Sequence, residues 1–147
     1  MKPINEMRLR IESRSVNEAF ARAAVAAFVS QLDPTLEEIS DIKTAVSEAV
    51  TNCIVHAYAD SVGQIYILAG LYEDGGVRIK IRDTGCGIED VKKAMEPLYT
   101  TLGEERAGLG FAVMESFCDR LGVRSAPGKG TTVTLTKYIK GRNGGDD

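Results

Sequence analysis

Met7, Leu9 and Ile11 alternate with Arg8, Arg10 and Glu12, and a period of two marks a strand with one buried face. After that strand the period changes. Ser15-Val16-Asn17-Glu18 has the form of a capping box, and Phe20, Val25, Phe28, Val29 and Leu32 then predict a helix over 16–32 that Asp33-Pro34 stops. Asn17, Glu18 and Arg22 fall on its other faces. Thr35-Leu36-Glu37-Glu38 repeats the capping signature, and Ile39, Ile42, Val46, Ala49 and Cys53 recur at spacings of three and four. A second, longer helix is expected to end near Tyr58, before the turn-forming Asp60-Ser61-Val62-Gly63.

Ile65, Ile67 and Leu71, then Asp74-Gly75-Gly76, then Val77, Ile79 and Ile81 against Arg78, Lys80 and Arg82, predict an antiparallel hairpin. Residues 89–95 suit a short helix, whereas 96–107 hold a proline, a glycine and several polar residues without clean periodicity, as a mobile lid would. Gly108-Leu109-Gly110 opens a helix expected over 111–121, with Gly122 as its C-cap. Residues 123–126 and 131–139, joined by Pro127-Gly128-Lys129-Gly130, predict a closing hairpin. The order strand, helix, helix, hairpin, lid, helix, hairpin implies an α+β fold, a two-layer α/β sandwich with a largely antiparallel mixed sheet. Residues 1–140 are expected to form one domain and 141–147 a disordered tail.

Composition narrows the class of function. The chain has 147 residues, a length suited to one self-sufficient core, with 44% hydrophobic and 27% charged residues. A formal charge of -3 gives no basic field of the kind that draws proteins to DNA, so no direct nucleic-acid partner is expected. Cys53, Cys86 and Cys118 are odd in number and form no C-x-x-C pair, which fits a reduced compartment without a disulfide framework or zinc site. No signal-like or membrane-spanning apolar run is present, and a soluble, cytoplasmic protein is expected.

The chemistry concentrates in three segments. Glu48, Asn52 and His56 are four residues apart, a spacing that stacks a carboxylate, a carboxamide and an imidazole on one helix face. Asp83 stands where a strand runs out, suited to accept from an exocyclic amine such as adenine's, with Gly85 and Gly87 letting backbone approach a ring. Amides at the start of the third helix, freed by Gly108 and Gly110, suit an anion. Asn52 offers a neutral oxygen to Mg²⁺, and Glu48 one turn away can take a proton from an attacking hydroxyl. Taken singly, each feature also has a plain reading: a tight turn, a solvated helix face, a helix-end histidine, a loop cysteine at Cys86.

Their combination and order carry more. E-A-V-T-N, D-T-G-C-G-I, a lid, G-L-G-F and G-K-G-T-T-V resemble the N box and glycine boxes of the Bergerat-fold (GHKL) ATPases, the group of gyrase, Hsp90, histidine kinases and MutL. With V-A-A-F-V-S-Q-L-D-P-T, S-E-A-V-T-N and E-P-L-Y-T-T, nearly the whole chain is similar to the anti-sigma serine kinases of sporulation. That resemblance implies ATP and Mg²⁺ as cofactors, Asn52 as the metal ligand and Glu48 as general base. It gives adenine to Asp83, supported by Gly87 and Thr132, and the phosphates to Gly108, Leu109 and Gly110, with Arg106 reaching the γ-phosphate. It further implies a homodimer that binds a sigma factor of the sigma-F type and phosphorylates a serine of an anti-anti-sigma antagonist, with Arg22 a candidate partner contact. In one departure, Arg106 stands where many histidine kinases carry the first glycine of G-x-G-x-G. A non-catalytic ATP-gated binding module, a detached histidine-kinase domain and an ATPase machine remain alternatives; the second has only His56 as a histidine, and the third lacks a coupling domain.

Overall fold

A computed structural model describes residues 1–88, 90, 91 and 104–141, without side chains for 104–109. The elements are β1 (Asn5–Glu12), α1 (Asn17–Val29), α2 (Leu36–Asn52), β2 (Gln64–Leu71), β3 (Gly76–Asp83), α3 (Glu104–Phe117), β4 (Arg120–Ala126) and β5 (Gly130–Tyr138). A 3-10 turn over Ser30–Leu32 ends α1, and a π-turn over Cys53–Ala57 continues α2. The five strands form one sheet in the order β1-β2-β3-β5-β4, and every described pairing is antiparallel. The fold class read from the sequence holds, and no parallel pairing occurs among the described strands.

Strand alternation sorts the sheet's two faces. Ile65, Ile67, Ala69 and Leu71 of β2, Val77, Ile79 and Ile81 of β3, and Val133 and Leu135 of β5 are buried under the helices. Arg78, Lys80 and Arg82 alternate with them toward solvent. The central helix α2 packs between α1 and α3 and buries Ile42, Ala45, Val46, Ala49 and Val50. Lys137 Nζ bonds Asp41 Oδ2 at 3.2 Å, fastening α2 to β5.

Four features differ from the sequence reading. The Ser15 capping box does not form: the N-cap of α1 is Val16, without a side-chain bond, because the Glu18 carboxylate is taken by the Ser47 hydroxyl and lies 3.6 Å from Arg22. Phe20, placed in the core stripe by its spacing, is 52% exposed, and the small Ala21 and Ala26 take the buried face with Val25 and Val29. The third helix begins at Glu104, seven residues before Phe111, and Glu104-Glu105-Arg106-Ala107 are residues that favour helix and carry acid at its start. It also stops sooner, at Phe117. Asp119 N–H donates to Thr136 O, so the chain has already joined the sheet, and Gly122 lies inside β4 opposite Thr134. The short helix expected over 89–95, most of the lid and the tail beyond 141 fall largely outside the described residues.

The Thr35 capping box is present: Thr35 Oγ1 accepts from Glu38 N–H at 3.1 Å, and Glu38 Oε1 accepts from Thr35 N–H at 2.9 Å. Glu38 also accepts from the N–H groups of Lys140 and Gly141, so the start of α2 captures the end of the described chain. Burial pushes the Glu38 carboxyl upward, but these backbone hydrogen bonds outweigh it and hold the group below its ordinary value. A lowered folded value means stability present above the usual glutamate range and lost as pH falls through the folded value. Glu38→Gln is therefore expected to cost about 1 kcal/mol at neutral pH, the difference between charge-assisted and neutral hydrogen bonds. Urea unfolding midpoints of the two proteins should converge as the pH falls below about 4.

Candidate functional site

Four turns along α2, Glu48 and Asn52 sit one turn apart and face α3. At their contact stands Gly110: a Cβ there would lie 3.2 Å from both Glu48 Oε2 and Asn52 Oδ1. The missing side chain lets α3 close on two polar groups that a larger residue would push aside. Asn52 Nδ2 is buried and has no hydrogen-bond partner among the described residues. Glu48 and Gly110 line an open cleft of about 640 Å³ between α1, α2 and α3, which Ser47, Thr51, Glu18 and Arg22 also line. Arg22 thus belongs to the rim of this cleft. His56 lies in the π-turn, where Tyr58 N–H donates to Cys53 O at 3.1 Å, and His56 O accepts from the Cys86 thiol.

A second cluster gathers around Asp83, which is 4% exposed at the end of β3. Its Oδ1 accepts from Gly85 N–H at 3.0 Å and from Thr131 N–H at 3.2 Å. Its Oδ2 has the Cys53 thiol at 3.6 Å. One carboxylate oxygen is fully used by backbone amides; the other keeps acceptor capacity. Burial raises the Asp83 carboxyl above its ordinary value, opposed by these donors, and burial beside Asp83 pushes the Cys53 thiol well up, leaving it a neutral donor. The loop after Asp83 is clamped on both sides. Cys86 N–H donates to Ala57 O at 3.2 Å, Gly128 N–H donates to Cys86 O at 2.7 Å, and Ile88 N–H donates to Ser125 Oγ at 2.8 Å. Gly87 adopts a φ of 75°.

The threonine beside Asp83 is Thr131, not Thr132. Thr132 pairs in register with Arg82 and Arg124, and strand alternation turns it to the opposite face of the sheet. Gly108, Leu109 and Gly110 lie within α3 and not at its start, so in this conformation they form no helix N-terminus. The side chains of Arg106 and Leu109 lie outside the described residues. Cys53 and Thr131 were the contributors to the Asp83 cluster that sequence reading passed over: Cys53 reads as core by its spacing, and Thr131 differs from Thr132 only in strand parity.

Residues 11–137 match the family model described as a histidine kinase-like ATPase domain. A relative named Anti-sigma F factor, from Caldanaerobacter subterraneus subsp. tengcongensis, is 62% identical over 140 residues, covering 95% of this chain and 96% of its own. The chain belongs to the anti-sigma F factors of the histidine kinase-like ATPase family. Another anti-sigma F factor, from Geobacillus kaustophilus, is 52% identical over 136 residues, covering 92% and 93% of the two chains. Among solved structures, the RsbU and RsbW domains of a Mycobacterium tuberculosis protein align over 93% of this chain and 33% of that one, with a TM-score of 0.69 and 24% identity. A blue-light activated histidine kinase domain from Erythrobacter litoralis aligns over 84% of this chain and 61% of its own, with a TM-score of 0.55 and 21% identity. At these identities both structures speak for the fold alone.

An ATPase family brings ATP, and with it a divalent cation, to be tested against the site. The residues fit. Asn52 is half-buried and carries a neutral carboxamide oxygen, Oδ1, that stands with the Glu48 carboxylate against Gly110, and hard cations take oxygen ligands of this kind. Among the described residues no group of three His, Cys, Asp or Glu could hold a metal alone, so a cation here would share its shell with water and nucleotide oxygens, as Mg²⁺ commonly does. Asp83 Oδ2 is available to an amine donor. No helix among the described residues is long and apolar enough to cross a membrane.

The loop clamp gives a direct test of this geometry. A Cβ on Gly85 would lie 2.7 Å from the Ala57 carbonyl carbon, a backbone collision that a rotamer change cannot relieve. Gly85→Ala should cost about 1–3 kcal/mol in urea unfolding, whereas Gly122→Ala, whose nearest neighbour would be Thr134 Cβ at 3.9 Å, should stay within about 0.5 kcal/mol of the parent.

Proposed function

We propose that this chain is an ATP-dependent protein serine kinase that also sequesters a sigma factor of the sigma-F type, and that its phosphoryl acceptor is a serine of the anti-anti-sigma antagonist of that complex. The observation that carries the reading is the pairing of Glu48 with Asn52 against the side-chain-free Gly110, beside an open cleft of about 640 Å³ that Glu48 and Gly110 line. The 62% identity to a protein named Anti-sigma F factor supports the sigma-binding half.

Asp83 would hold adenine through Oδ2, with the amides of Gly85 and Thr131 fixing the carboxylate. Asn52 would hold Mg²⁺, and Gly108, Leu109, Gly110 and Arg106 would surround the phosphates. Freeing the amides of 108–110 requires the first turns of α3 to open, and each glycine there lowers helix stability by about 1 kcal/mol relative to alanine. Bound Mg·ATP supplies an electrophilic γ-phosphoryl group and a stabilised leaving group. Glu48 does the work on the acceptor: it orients a serine hydroxyl entering the cleft and takes its proton at the carboxylate. Arg22, on the cleft rim and paired with Glu18, would meet the partner protein. We read the working form as a cytoplasmic homodimer.

The test is transfer from γ-labelled Mg·ATP to the antagonist protein. The expected product is acid-stable phosphoserine, with the rate in Glu48→Gln reduced by at least about 100-fold while ATP still binds. Acid-labile label on this chain would favour a histidine-kinase domain, and tight ATP binding without transfer would leave an ATP-gated binding module; either result overturns the serine-kinase reading.

A further inference from the structure

Tyr58 ends the π-turn with its ring buried and its hydroxyl at the meeting point of three segments. The hydroxyl donates to Gln64 O at 2.8 Å, accepts from Thr84 N–H at 2.6 Å and lies 3.1 Å from Thr84 Oγ1. Its ring rests on Gly63, where any Cβ would strike the ring carbons. Thr84 is the first residue beyond the β3 register, so its amide has left the sheet's hydrogen-bond ladder and finds its acceptor in the phenol. The next amide, Gly85 N–H, is the one that fixes Asp83 Oδ1.

These contacts form a chain of cause. The phenol holds Thr84, Thr84 places Gly85, and Gly85 N–H together with Thr131 N–H engages one oxygen of Asp83, so that the other keeps its capacity to accept. On the same π-turn, Ala57 O receives Cys86 N–H and Cys53 reaches Asp83 Oδ2. The end of α2, which carries Glu48 and Asn52, is thereby tied to the loop that orients the buried carboxylate. We propose that Tyr58 is a positioning residue for recognition of the nucleotide base, acting through the Thr84 and Gly85 amides on Asp83 without touching the reacting atoms. This inference rests on the ATP reading of the site.

The test uses the full chain with Mg·ATP and Mg·ADP. Tyr58→Phe keeps the ring over Gly63 and removes only the hydroxyl. The dissociation constants for both nucleotides, and KM for ATP, should rise about five- to tenfold, the equivalent of one lost buried hydrogen bond. The transfer rate at saturating ATP should stay within about twofold, because Glu48 and Asn52 are untouched. A merely structural role for Tyr58 would lower the urea midpoint without this separation of KM from kcat. Amide hydrogen exchange on the nucleotide-free parent chain gives a variant-independent check: Thr84 and Gly85 should be protected. Unprotected amides, unchanged nucleotide affinity in Tyr58→Phe, or a fall in kcat with KM unchanged would each overturn the inference. A parent chain that binds no ATP would overturn the nucleotide reading itself, and the inference with it.

Discussion

A carboxylate nearly sealed from water at the end of a strand has to be satisfied by the protein around it, and Asp83 imposes that demand on three elements at once. Thr131 N–H comes from β5, Gly85 N–H from the loop after β3, and the Cys53 thiol from the end of α2. Burying an ionised carboxyl without such donors would cost several kcal/mol or drive it neutral. The donors do not surround it evenly. Two amides converge on Oδ1 and a thiol, a weaker donor, stands at Oδ2, so the group is held in one orientation with acceptor capacity in reserve. The carboxylate that the fold must satisfy is also the one proposed to read the base.

The long helix α2 transmits that constraint to the rest of the site. Its N-terminus is fixed by the Thr35–Glu38 capping box, its apolar stripe lies at the centre of the core, and its C-terminal end supplies Glu48, Asn52 and Cys53. The π-turn follows, and from it Ala57 O and the Tyr58 hydroxyl reach the glycine loop. Opposite, α3 approaches closely because position 110 has no side chain. The Glu48–Asn52 pair and the Asp83 cluster are therefore both attached to one helix, which suits the proposed chemistry, dependent on placement more than on covalent participation.

Much of this was legible in the residues. The alternation of Val77, Ile79 and Ile81 with Arg78, Lys80 and Arg82 fixed a strand, its inner face and the location of Asp83 at its end, because a period of two allows few other solutions. The Thr35 cap and the Glu48–Asn52 spacing were equally direct. What escaped was decided by tertiary competition. Ser15 lost its capping partner when Glu18 bonded Ser47, a residue 29 positions away. Glycines 108 and 110 read as a helix start, yet the acidic run before them extends the helix. Thr132 was assigned where Thr131 stands, since parity within β5 depends on a register that only the sheet supplies. The π-turn over Cys53–Ala57 left no mark in the apolar spacing.

The most direct measurement is equilibrium binding of Mg·ATP to Asp83→Asn, followed by calorimetry beside the parent chain. Asparagine can still accept from the Gly85 and Thr131 amides through Oδ1, but it presents an N–H donor where Oδ2 stood, so an incoming exocyclic amine would meet a donor. The account predicts an affinity loss of at least about tenfold, or about 1.4 kcal/mol, with the chain still folded. Binding of ATP to a folded Asp83→Asn protein with parental affinity would contradict the assignment of this buried carboxylate to the base, and with it the location of the nucleotide between α2, the glycine loop and α3.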